Sequence, residues 1–187
     1  MHLGDEEKRE LLRIARISIE SIVRGQTMRL PETSSSGLLE ACGAFVTLSE
    51  HGQLRGCIGY TEAVKPLAEV VSEVAAKAAV EDPRFPPVSE DELSEIELDI
   101  SVLSPLERIS DLERIEVGTH GLLLENGYFR GLLLPQVATE YHWDRETFLE
   151  NLARKAGLPP HGWKDKNSVL YAFTADVFSE REFKTEP

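Results

Sequence analysis

Apolar positions in this chain recur at two different periods, and the changes of period mark out the elements. From Asp5 to about Arg24, Leu11, Leu12, Ala15, Ile19, Ile22 and Val23 return at helical spacing with Glu and Arg between them, which predicts an amphipathic helix. Acidic residues open it and Arg24-Gly25 closes it, as the helix dipole and a glycine cap favour. Residues 26–40 lose the pattern. Pro31 and the Ser34-Ser35-Ser36-Gly37 cluster predict a flexible loop there. Ala44, Val46 and Leu48 then alternate with Phe45, Thr47 and Ser49, and Leu54 and Ile58 continue on the apolar side. The expectation is a hairpin of 43–50 and 53–58 across His51-Gly52, with Glu50 facing Gln53.

Pro66 suits a helix start, and Leu67, Val70, Val71, Val74, Ala75, Ala78 and Ala79 follow at helical spacing. The alanine-rich face implies close packing on a sheet. Asp82-Pro83-Arg84-Phe85-Pro86-Pro87 stops that helix. Ser89 and Glu92 have capping-box spacing for a short helical turn. Ile96, Leu98, Ile100 and Val102 alternate with charged residues as a half-buried strand. Leu122–Glu125 and 128–134 form a second hairpin across Asn126-Gly127. Pro135 opens a helix running to about Tyr141. Asp144 caps another, with Phe148, Leu149 and Leu152 inward. Residues 168–178 read as one long final strand. Strands arranged as hairpins with helices interspersed predict an α+β fold with mostly antiparallel sheet.

Composition narrows the class. Over 187 residues, 41% hydrophobic and 28% charged content fits one soluble domain. The net charge of −13 disfavours a nucleic-acid backbone as partner. No apolar run approaches membrane-spanning length, and the first residues lack a signal-peptide pattern, so a cytoplasmic protein without a membrane partner is expected. Two cysteines, Cys42 and Cys57, are too few for a disulfide framework or a four-thiolate metal site, and no metal or cofactor is expected. In a regular hairpin Cys57 faces Val46. That leaves it about 13 Å from Cys42 along the strand, too far for a disulfide.

The chemistry concentrates in Gly52-Gln53-Leu54-Arg55-Gly56-Cys57-Ile58-Gly59-Tyr60. In an extended strand, Leu54 and Ile58 share one face and Gln53, Arg55 and Cys57 the other. A guanidinium beside a thiol favours the thiolate. The flanking glycines either take a strained dihedral or let a ligand or another backbone come close. The start of the following helix, with its positive dipole end, is expected near the thiol. His120, between glycines, is a candidate base or a structural hydrogen-bonder. Asp82 and Arg84 are spaced to bind loop backbone or each other as a structural turn, or to clamp a polar substrate. Cys57 itself reads as a nucleophile or as a small buried hydrophobe.

Leu54-Arg55-Gly56-Cys57-Ile58-Gly59 resembles the hexapeptide that marks the AMMECR domain. Asp82-Pro83-Arg84-Phe85, His120-Gly121, the run from Gly131 through Gln136 to Ala138, and Lys155-Ala156-Gly157-Leu158-Pro159 resemble its other blocks, in order, over about 43–178. The resemblance implies a single two-lobed domain over 1–187. Its larger lobe uses both chain ends, its smaller lobe is separate, and a cleft bears the Arg-Gly-Cys segment. It carries no established activity. Within it, Cys57, His120 and Arg55 are the catalytic candidates, and Asp82, Arg84 and Gln136 the substrate-binding ones. Two functions follow as expectations. One is thiol-based chemistry on a small polar substrate or modified macromolecule. The other is a non-catalytic binding or adaptor module for a peptide, a small ligand, or a Memo-type or radical-SAM protein.

Overall fold

The structure, a computed structural model, describes residues 3–27, 29–30, 33 and 35–183. Its helices and strands, in chain order, are α1 (Asp5–Val23), α2 (Ser36–Leu39), β1 (Ala44–Glu50), β2 (Gln53–Tyr60), α3 (Leu67–Val80), β3 (Ile96–Leu103), β4 (Glu107–Ile109), β5 (Gly121–Asn126), β6 (Phe129–Leu133), α4 (Pro135–Glu140), α5 (Arg145–Lys155), β7 (Val169–Phe173), β8 (Ala175–Ser179) and α6 (Glu180–Phe183). The α+β class is as expected, with antiparallel pairing in both hairpins and between them and their neighbours. Within the expected loop at 26–40, α2 is a short helix, while Pro31 and Ser34 lie outside the described residues.

The chain divides into two compact units, Met1–Leu103 with Asp176–Pro187, and Ser104–Ala175. The first holds a four-stranded sheet in the order β2-β1-β3-β8. Ala44, Val46 and Leu48 of β1, with Leu98 and Ile100 of β3, are fully buried and share a core with α1 and α3. The alanines of α3 keep that contact close. A Cβ built on Gly56 would sit 2.2 Å from the Ala78 carbonyl oxygen. Gly56 is therefore a packing glycine, and Gly56→Ala is expected to cost about 2 kcal/mol as backbone is forced apart, measured by urea unfolding. Lys8 of α1 meets Asp176 at 2.8 Å, and Arg16 binds the Leu93 and Ile96 carbonyls. Those bonds seat α1 against the segment that leads into β3 and against the returning chain end.

The second unit holds the sheet β4-β7-β5-β6 with α4 and α5. Its core is Leu122, Leu124, Phe148, Leu149, Leu152 and Leu170, with Ile115 and Ala172. Asp144 caps α5 by accepting from the Thr147 amide at 2.8 Å, as its sequence position indicates. Gly157, at φ +82°, ends the helix. Two expectations here need correction. Asn126 pairs with Phe129, so the turn residues are Gly127 and Tyr128, one position later than read from Asn-Gly. The single final strand is two: β7 belongs to the sheet of the second unit and β8 to that of the first, with Thr174 between them. Continuous alternation of apolar residues hides the break, because both pieces bury one face.

Candidate functional site around Cys57

The motif strand β2 lies at the edge of its sheet. The hairpin turn is as read: His51 and Gly52 both have positive φ, 51° and 77°, and Glu50 pairs with Gln53. One step further the register slips. Ser49 pairs with Leu54 while Leu48 pairs with Gly56, so Arg55 is the extra residue of a β-bulge. Leu54, ahead of the slip, pairs with Ser49 and is 44% exposed instead of entering the core. Strict alternation fails at the bulge, with two consequences. Cys57 faces Thr47 rather than Val46. Arg55 is buried, only 8% exposed.

Arg55 is held by groups other than the thiol. Its Nε and Nη2 donate to the two Glu92 carboxylate oxygens at 2.6 and 3.2 Å, and Nη1 donates to the Pro86 carbonyl at 2.9 Å. Glu92 also accepts from the Ser89 amide at 2.7 Å, completing the capping box of the turn at Glu90–Ser94. The Arg55 guanidinium, followed by the Ser89 amide, lowers the Glu92 pKa to about 2 despite its burial. The expected side-by-side Arg55 and thiol is thus replaced by an ion pair that fastens 86–92 to the motif strand.

The cation that reaches Cys57 is Arg84. An edge strand leaves outward N–H and C=O groups unpaired. At Cys57 both are taken: the amide donates to Asp82 Oδ2 at 2.8 Å, and the carbonyl accepts from Arg84 Nη2 at 3.4 Å. Asp82 and Arg84 bind each other through Nε at 2.9 Å and Nη2 at 2.6 Å, and Asp82 also takes the Arg84 amide at 3.1 Å. The Asp82 carboxylate is almost wholly buried, its side chain 3% exposed. The Arg84 guanidinium, more than the Cys57 and Arg84 amides, holds its carboxyl far below the usual carboxylate range against the opposing effect of burial. Asp-Pro-Arg-Phe is therefore a loop that stands in for a neighbouring strand, and the backbone-binding reading of Asp82 and Arg84 describes these contacts.

The Cys57 side chain lies with Thr47 on the sheet face opposite the buried Val46 and Leu48. It is half-buried, and Thr47 Oγ1 donates to its sulfur at 3.3 Å. Thr47 in turn faces Asp99 of β3 across the strand pair. Thr47 and Glu92 were not among the sequence candidates; the regular hairpin register put Val46 opposite Cys57, and only the capping-box spacing pointed toward Glu92. The glycines do not open space here. The Gly59 Cβ position falls 2.2 Å from the Phe45 ring, which lies across it. The dipole expectation also changes, because the last turn of α3, through Ala78, abuts Gly56. Cys42 is 5% exposed, and burial pushes its thiol pKa up, with Glu40 adding to the rise. Neither cysteine is in a disulfide.

His120 and Gln136 belong to the second unit. His120 Nδ1 accepts the Glu116 amide at 3.1 Å and its own amide donates to the Glu116 carbonyl at 2.9 Å, which closes a turn before β5. Gly121, next to it, accommodates the Phe173 ring 2.4 Å from its Cβ position. Gln136, on α4, has a buried Oε1 with no hydrogen-bond partner among the described residues. Among the described residues no cluster of His, Cys, Asp and Glu is arranged to hold a metal ion, and no helix is long and apolar enough to cross a membrane.

Comparison with known proteins agrees with this fold. A protein of Methanothermobacter thermautotrophicus is 47% identical over 186 residues, spanning 95% of this chain and 96% of its own. One from Methanocaldococcus jannaschii is 42% identical over 189 residues, spanning 97% and 94%. The crystal structure of an uncharacterized protein from Pyrococcus horikoshii superposes with a TM-score of 0.89 at 41% identity, covering 95% of this chain and 93% of that one. The AMMECR1 family model matches residues 12–178, so the chain belongs to the AMMECR1 family.

Proposed function

We propose that Cys57 is a positioned thiol acting as a nucleophile on a small polar substrate or a modified macromolecule, with Arg84 as the cation that meets the bound group. One observation carries this reading. A buried carboxylate and an exposed guanidinium are both engaged on the backbone of one residue, a half-buried cysteine. Such fixing is what a reactive group needs to meet a substrate in one geometry. The Thr47 hydroxyl, donating to the sulfur at 3.3 Å, helps to fix where that sulfur sits. Arg84 keeps 53% of its side chain exposed, so it is available to an anionic group approaching the sulfur.

Charge selectivity tests this. Iodoacetate carries a carboxylate and iodoacetamide does not. In Cys42→Ser protein, Arg84→Gln is expected to lower the iodoacetate-to-iodoacetamide rate ratio at Cys57 about threefold, by removing a nearby positive charge. An unchanged ratio overturns the role given to Arg84. His120→Ala is the parallel test of the base: a structural turn residue lowers Tm alone, whereas a base also shifts the pH profile of Cys57 alkylation.

A binding or adaptor module is the second reading, favoured by the engagement of Arg55. With that guanidinium committed to Glu92 and Pro86, the motif strand has the character of a stiff recognition surface. Partner capture that persists in Cys57→Ala protein, with no covalent adduct on the wild type, supports that module over the nucleophile.

A further inference from the structure

A cavity of about 530 Å³ is lined wholly by residues of the second unit, and none of them belongs to the Cys57 site. It sits where β4 and β7 pair, beside the turn Gly162–Lys164. We propose that it binds a small organic anion, an apolar body carrying a carboxylate or phosphate group. The volume is that of a ligand pocket rather than a packing defect.

The first argument is an orphaned donor. Trp163 lines the cavity, and its Nε1 is buried with no hydrogen-bond partner among the described residues. An indole N–H can only donate, so what completes it must be an acceptor. The second argument is charge. Arg108 and Lys164 line the cavity and no acidic residue does, in a chain of net charge −13. The imbalance is local as well as unusual: Ser104–Ala175 contains ten acidic and eight basic residues, so most of the negative charge lies in the other unit.

Each polar group has a distinct state. Lys164 lies 4.6 Å over the Trp163 ring and reaches Glu146 at 3.4 Å, so its charge is already shared. Arg108 has no ion pair among the described residues and an exposed side chain, which makes it the main recognition group. The Ser168 hydroxyl is occupied, donating to the Gly162 carbonyl at 2.7 Å and accepting from Asn126 at 3.0 Å. It holds the Trp163 turn in place and leaves Ser110 as the additional hydroxyl. Ile109, Leu112 and Leu170 supply an apolar wall for the body of the ligand.

The indole itself reports on the site. The chain has two tryptophans, Trp143 and Trp163, so Trp143→Phe assigns the two indole N–H resonances in a proton–nitrogen correlation spectrum. Phenyl phosphate and benzoate, titrated separately at constant ionic strength, are the probes. Saturable movement of the Trp163 indole resonance by at least one of them, with Trp143 static, supports the site, and the stronger probe identifies the phosphate or the carboxylate class. Arg108→Gln is expected to weaken that titration about tenfold, as for loss of a charge-assisted hydrogen bond. Absence of saturation with both probes, movement shared equally by both indoles, or an unchanged titration in Arg108→Gln overturns the proposal and leaves the cavity to water.

Discussion

Arg55→Ala is expected to lower stability by about 4 kcal/mol, the scale seen when one partner of a buried ion pair is removed. The change strips Glu92 of both guanidinium bonds and the Pro86 carbonyl of its donor. Arg55→Lys is expected to recover roughly half, since an ammonium cannot match a two-point fork. Acid distinguishes this mechanism from a general packing loss. Glu92 is depressed to about 2 in the folded protein and titrates near 4.3 unfolded. Its ionised form therefore stabilises fully above the unfolded value, and that contribution is lost as pH falls toward about 2. The gap between wild type and Arg55→Ala is expected to close across that window in urea unfolding. A gap independent of pH would mean that Glu92 is not the relevant partner.

Asp82→Ala is the second large effect, expected at about 3 kcal/mol because the buried carboxylate accepts from the Cys57 amide and from three Arg84 nitrogens. The loss should be local first. Hydrogen exchange at the Cys57 amide is expected to accelerate about a hundredfold, the factor that such an energy implies, while the β5–β6 amides of the other unit keep their rates. The direction with pH follows from the depressed carboxyl. Its contribution is present above the unfolded value near 3.9 and is lost only below the folded one, which lies far under the usual range. The Asp82→Ala gap should therefore persist further into acid than the Arg55→Ala gap. Equal exchange rates at Cys57 in wild type and variant would show that the amide does not depend on Asp82.

These two residues also mark how far the sequence could be read. The hairpin, its turn and the pairing of Glu50 with Gln53 were legible, because His51-Gly52 has the chemistry of a two-residue loop. The bulge at Arg55 was not. An extra residue in a strand has no composition of its own, and a slip of one position reverses every face assignment beyond it. That slip moved Cys57 opposite Thr47; Leu54, one residue before it, is exposed because it pairs with Ser49 on the outer face. The spacing of Asp82 and Arg84 admitted binding to backbone, and the structure supplies which backbone. The glycines of the motif pointed to a close backbone or ligand; at Gly56 it is backbone, the Ala78 carbonyl, while at Gly59 it is the Phe45 ring, neighbours whose identity depends on tertiary packing. The division of residues 168–178 at Thr174 was invisible for a similar reason: alternation reports a buried face without saying which sheet buries it. Strand β4, three residues long, is too short to show a period.

Site-resolved alkylation of the two cysteines tests the central claim most directly. Cys42 is buried with its thiol pKa raised, while Cys57 stands half-open on the outer sheet face with Thr47 donating to its sulfur. Native protein treated with iodoacetamide at neutral pH and read by peptide mass spectrometry is expected to show Cys57 modified at least about tenfold faster than Cys42. Equal rates, or a Cys57 modified only on unfolding, would contradict a positioned, approachable thiol.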